Sequence, residues 1–193
     1  MIGNDIIDLE IPISPNWNTT RYLNKLFTSS EQTAIFDSEE PEIWLQLFWS
    51  LKEAAYKAHQ RQFNLPRKYN PLDFICEIIS EEKEAVQGIL RIKGLIYFST
   101  STITSTYIHS TAMTGSEINR EACIKILDGE SALKDKLFAE YSVLLKEPKT
   151  NFRIQKNKNK FPVLYLKNTK LEQNFSLSHH GKFAAFAIAL RIS

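Results

Sequence analysis

Lys52-Glu53-Ala54-Ala55-Tyr56-Lys57 sets a carboxylate and an ammonium four residues apart, so in a helix Glu53 and Lys57 share one face with Lys52 beside them. Such a pair has two readings. On a solvated face it is an ordinary i, i+4 ion pair. In a helix buried on much of its girth, as the neighbours Leu47-Phe48-Trp49 and Ala54-Ala55 suggest, charges are paired or functional. Asp5 and Glu53 are hard oxygen donors suited to Mg²⁺, which takes one or two carboxylates and completes its octahedron with water and phosphate oxygens. Asp5 reads equally as a turn cap and Asp8 as a surface acid. His179 and His180 are neighbours in an apolar strand, so at most one faces a given cleft. A satisfied buried histidine is the commoner fate of such a residue, but with Ser178 and Lys160 or Lys182 it would supply donors to phosphate.

These side chains depend on the elements that carry them. Residues 2–9 read as a short Ile-rich strand from which Asp5 and Asp8 emerge, ended by Pro12 and Pro15. Residues 19–36 have helical spacing, and Thr28-Ser29-Ser30-Glu31 is a capping pattern that starts a second short helix. The clearest helix covers 41–60, with Ile43, Leu47, Leu51, Ala54, Ala55 and Ala58 as its apolar stripe. Residues 74–79, 88–92, 95–98 and 106–113 are rich in β-branched and aromatic residues and predict an antiparallel meander. From residue 119 to Pro148 the pattern reads as helical, through Ile124, Leu127, Leu133, Leu137, Phe138, Tyr141, Leu144 and Leu145. Strands follow at 152–154, 163–166 and 175–190, with Lys156-Asn157-Lys158-Asn159-Lys160 as a hairpin loop.

Helix followed by strands thus occurs twice, and residues 107–113 and 175–180 each set a histidine beside serine in an apolar strand. The expectation is an α+β fold of two similar helix-plus-antiparallel-sheet halves, 1–117 and 118–193, joined near residues 115–121. A pseudo-twofold between them would open a cleft at the seam, where ligand sites are common.

A chain of 193 residues, 43% hydrophobic and 24% charged, is globular in composition and long enough for one domain or two small halves sharing a core. A net charge of +2 is too small for a general nucleic-acid binder. Cys76 and Cys123 match no metal or redox spacing and read as reduced thiols of a cytoplasmic protein. No apolar run of about 18 residues and no basic leader pattern is present, so neither secretion nor membrane insertion is expected.

Three segments together resemble the 4′-phosphopantetheinyl transferase superfamily: Gly3-Asn4-Asp5-Ile6-Ile7-Asp8-Leu9, Phe48-Trp49-Ser50-Leu51-Lys52-Glu53-Ala54-Ala55-Tyr56-Lys57-Ala58 and Ser176-Leu177-Ser178-His179-His180-Gly181. They match its G-x-D strand, its F/W-S/A-x-K-E-A-x-x-K helix and its S-x-S-H segment. The resemblance implies a Mg²⁺-dependent holo-acyl-carrier-protein synthase, with coenzyme A as substrate and an apo-acyl carrier protein or related carrier domain as partner. It implies metal ligands Asp5 and Glu53, catalytic roles for Glu53 and Lys57, and coenzyme contacts from Lys52, Lys57, Lys160, Ser178 and His179. Glu53 or a metal-held water would take the proton of the carrier serine as it attacks the β-phosphate.

Two departures refine this picture. Ile7 stands where long single-chain members carry a second acid, which favours a two-carboxylate site completed by water. The family's G-K-P near the adenine is Lys160-Phe161-Pro162 here. Long members carry S-x-S-H before the metal motifs, whereas this chain carries it after them, which suggests a monomeric pseudo-dimer with its halves in exchanged order. Two other readings stand beside this one: a degenerate relative that binds coenzyme A or a carrier without transfer, and a structural α+β domain whose Lys-Glu helix is only an ion-pair face.

Overall fold

The computed structural model describes residues 1–114, 121–171 and 175–190. Strand β1 (Ile2–Asp8) is buried along its whole length, acids included. Two short helices follow. Thr19 caps α1 (Thr20–Leu26), and Thr28 with Glu31 closes a complete capping box on α2 (Ser29–Asp37). Helix α3 (Pro41–Gln62) begins with proline in its first turn and buries Leu47, Leu51, Ala54, Ala55 and Ala58 against β1 and the first sheet.

Strands β2 (Ile75–Glu81), β3 (Ala85–Ile92), β4 (Leu95–Ile103) and β5 (Tyr107–Thr114) form the antiparallel meander, and β1 returns to pair with β5, giving the order β1-β5-β4-β3-β2. Helix α3 lies across this sheet. Gly3 permits the approach: a Cβ there would sit 2.6 Å from the Ala58 backbone N and still closer to the Ala54 carbonyl.

The helix expected from residue 119 starts later. Residues 115–120 lie outside the described residues, so the proposed boundary at 115–121 is described only at Glu121. Ala122–Asp128 is a strand, β6, paired along its length with β11. Its Ile124 and Leu127 fit a helical stripe, but Ile124 and Ile126 are β-branched, and tertiary pairing decides between the two periods. After Gly129 at φ +84°, helix α4 (Leu133–Leu145) runs to a left-handed Lys146. Strands β7 (Phe152–Lys156), β8 (Pro162–Leu166) and β9 (Thr169–Lys170) form one small sheet. Strands β10 (Phe175–His180) and β11 (Phe183–Ala189) complete another, of order β10-β11-β6. The architecture is α+β with antiparallel sheets. Strand β1 pairs antiparallel with β5, and β6 with β11.

One apolar core lies between α3 and the five-stranded sheet, and a second lies among α4, β7, β8, β10 and β11. Ile6 of β1 joins Phe183 and Ala185 of β11 in a smaller cluster, packed with Tyr107 and Ile126. That cluster joins β1 of the five-stranded sheet to β11 of the β10-β11-β6 sheet. No helix among the described residues is long and apolar enough to cross a membrane. Cys76 and Cys123 are free.

Candidate active site

Glu53, Lys57 and Arg61 follow one another at i, i+4 and i+8 on α3, and all three open onto a cavity of about 770 Å³. Tyr56 and Gln60 of α3 and Arg67 after it also line the cavity. Lys134 from α4, Lys156, Asn159 and Lys160 from the β7–β8 hairpin, and His179 from β10 complete its wall. Its wall is thus strongly cationic, with Glu130 the other acid besides Glu53. Burial brings Arg61 down to about 10, which leaves it charged at neutral pH. The hairpin is held to the end of α3 by Asn159 Nδ2, which donates to the Asn64 carbonyl at 2.6 Å.

A second cavity, of about 420 Å³, meets the first at Glu53 and His179, which line both. Its lining is more apolar. Ile7, Ile11, Pro12, Ile13, Tyr22, Leu26, Leu45 and Trp49 make a mainly apolar groove, which Asp5, His180, Ser14 and Gln46 also line.

At the junction, Lys57 Nζ donates to Asp5 Oδ1 at 2.8 Å and to the Asn4 carbonyl at 3.1 Å. The Glu53 carboxyl is pushed up to about 7, chiefly by burial and further by the charge of Asp5, against the pull of Lys57 and Arg67. Its charged form is therefore short of compensation. A cation held by Asp5 and Glu53 would supply it, and hard carboxylate oxygens are the donors that Mg²⁺ takes. No group of three or more His, Cys, Asp or Glu able to hold a metal is found among the described residues. Asp5 and Glu53, as two hard oxygen donors, would leave the other positions of such an ion to water and substrate oxygens.

Two residues expected to contact coenzyme lie elsewhere. Lys52 is fully buried and faces away from the cavity. Its ammonium donates to Glu31 Oε2 at 2.7 Å and to the carbonyls of Leu26 and Pro71, while Glu31 Oε1 accepts from the Cys76 N–H. That bonding ties α1, α2, α3 and β2 together, so all three ammonium protons are spent on the fold. Ser178 is also buried, and its Oγ accepts from Asn4 Nδ2 at 2.9 Å. Lys182 turns outward, pairing with Glu10 at 2.6 Å. Asp8 is no surface acid. Its carboxylate accepts the N–H groups of Lys182 and Glu10, which hold it below the usual carboxylate range. Of the histidine pair only His179 reaches the cationic cavity, although both border the apolar groove. His180 Nδ1 accepts the Asp8 N–H at 3.0 Å.

Arg61, Arg67 and Lys134 stand outside the sequence motifs, and Lys156 reads there only as part of the basic hairpin loop. Arg61 carried a signal, since it continues the Glu53–Lys57 spacing. Arg67 sits in the irregular segment after α3, where no periodicity marks it.

An α+β fold with Glu53 and Lys57 on a cationic cavity, and Asp5 bonded to that lysine, has the parts of a group-transfer enzyme. The family model of the 4′-phosphopantetheinyl transferase superfamily matches residues 1–112, more than half of the chain, and the chain belongs to that family. The match takes in β1, α3 and the meander as far as residue 112 in β5, and so ends well before β10. A search of curated proteins returns no match.

Proposed function

We propose that this chain transfers the 4′-phosphopantetheine arm of coenzyme A to a serine of an apo-carrier protein, releasing adenosine 3′,5′-bisphosphate. The observation that carries this reading is the meeting of two unlike cavities at Glu53 and His179. A transferase needs a donor site and an acceptor site that share the reacting atoms. The cationic cavity suits a polyanionic nucleotide, and its volume falls within the usual range for ligand pockets. The apolar groove suits the surface of a partner protein that brings its serine to Glu53.

In this reading Lys57, Lys160 and His179 bind phosphates of the coenzyme, and Asp5 with Glu53 would hold Mg²⁺. A bound Mg²⁺ supplies charge neutralisation at the pyrophosphate. Glu53 takes the serine proton as Oγ bonds to the β-phosphorus and the bridging P–O bond to the α-phosphate breaks. Lys57, already beside Asp5, neutralises charge that builds on the phosphoryl oxygens, and Arg61 and Arg67 do so from the cavity wall. Catalysis is then mostly positioning and electrostatics. The enzyme works in the cytoplasm as a monomer whose halves are related by a pseudo-twofold in exchanged order, so that the cleft forms within one chain. The pairing of β1 with β5 and of β6 with β11 supports that arrangement.

Two kinetic results test the assignment of the cavities. Trp49→Ala, on the groove, is expected to raise the carrier KM about tenfold and to leave the coenzyme KM within about twofold. Lys160→Ala should do the reverse. Equal effects on both KM values from either variant would contradict it.

The raised Glu53 gives a pH prediction for the metal. Below about pH 7 the carboxyl must lose its proton for Mg²⁺ to bind, so the affinity for Mg²⁺ should rise up to about tenfold per pH unit and level off above that point. Calorimetric titration across the range reads this directly, and a profile flat through pH 7 would contradict it.

A further inference from the structure

Strands β5 and β10 each set a histidine beside serine, and both converge on Asn4, which the chemistry above does not use. Asn4 is fully buried in β1. Its backbone N–H donates to Ser176 Oγ at 2.9 Å, and its side-chain amide donates to Ser178 Oγ at 2.9 Å and His109 Nε2 at 3.2 Å. Burial brings His109 down to about 4, so the ring is neutral and free to accept. Asn4 thus bonds both halves at once.

Strand β1 pairs with β5, and β10 pairs with β11, so β1 and β10 pack together without sharing a ladder. Their relative placement falls to side chains. Asn4 fastens Ser176 and Ser178 at one point, and the Asp8 N–H fastens His180 at another. His179 lies between the two fastenings, and Asp5 is the next residue along β1 from Asn4. The same Asn4 also offers its carbonyl to Lys57. Its Oδ1 is buried with no partner among the described residues.

We propose that Asn4 is a positioning residue: by clasping Ser176 and Ser178 it sets His179 at its working distance from the Asp5, Glu53 and Lys57 group across the seam. This rests on the function proposed above. Asn4 touches no substrate and acts through His179.

The test is a double-mutant cycle read by calorimetric titration of coenzyme A in the presence of Mg²⁺, with folding of every variant checked by circular dichroism. Asn4→Ala should weaken binding about tenfold and Ser178→Ala about threefold, but each should have less than about a twofold effect when added to His179→Ala, because there is then no imidazole to misplace. Should Asn4→Ala fail to fold, the Ser178→Ala arm decides alone. The same factor in both backgrounds, or unchanged affinity in the single variants, overturns the proposal. A parent protein that binds coenzyme A but modifies no carrier removes the transferase reading and leaves this cycle to be judged on its own. A parent that binds no coenzyme A overturns both.

Discussion

Glu53→Gln is expected to lower kcat by about a thousandfold or more while making the metal-free protein more stable at pH 8. The activity loss follows from removing a proton acceptor and a metal ligand in one isosteric change. The stability gain follows from the position of the carboxyl, which burial and Asp5 push up to about 7. The folded protein holds that proton more tightly than the unfolded chain, so stability falls as the pH rises from the ordinary value of 4.5 through about 7. Glutamine removes this slope. The two proteins should therefore melt alike near pH 4, diverge as the pH rises from 4.5 to about 7 and keep that gap above it, with the variant higher, and added Mg²⁺ should raise only the parent. Opposite signs for activity and stability mark a residue kept for chemistry. If Glu53→Gln lost stability at pH 8, the Glu53 carboxylate would be structural and the proposed site would fail.

Gly3→Ala is the second large effect, and it acts through backbone. The added methyl meets the backbone of Ala54 and Ala58, and backbone atoms cannot swing aside as a side-chain tip can. Strand β1 and helix α3 must separate. Asp5 lies two residues along β1 from the point of collision, and Glu53 and Lys57 directly precede Ala54 and Ala58 on α3. The variant is expected to lose about 3 kcal/mol of stability by overpacking, and at least about a hundredfold in kcat even where fully folded, since misplacement by about 1 Å can cost that much. Gly88→Ala is the control. Its Cβ would crowd the Glu77 carbonyl and Ser99 Oγ in the meander, so it should cost stability without changing kcat. Equal loss of kcat in both variants would show that the Gly3 effect is general loosening.

Much of this architecture is legible from periodicity. Helix α3 and the meander follow from apolar residues at helical spacing and from β-branched runs, and the capping box at Thr28 and Glu31 marks the start of α2. The shared face of Glu53 and Lys57 is fixed by helix geometry alone. Other features need the third dimension. Lys52 belongs to the same motif as Glu53, but one residue is about 100° of helix rotation, enough to turn its ammonium into the core toward Glu31. Ile124 and Leu127 fit two periods, and only pairing with β11 decides for a strand. The groove combines residues 11–14, α1, α3 and β1, and the prolines that end the first strand give no hint that the segment after them builds a wall. Asn4 reads as the variable position of a motif until Ser176 and Ser178 come to meet it.

The most direct test is to incubate the protein with Mg²⁺, coenzyme A and a panel of fatty-acid, polyketide and peptide apo-carriers, and to weigh the carriers intact. The account predicts that at least one gains the mass of a single phosphopantetheine, that the gain vanishes with chelator or with Glu53→Gln, and that it is lost when the carrier serine is replaced by alanine. Carriers left unmodified across the panel, by a folded protein that binds coenzyme A, would contradict it.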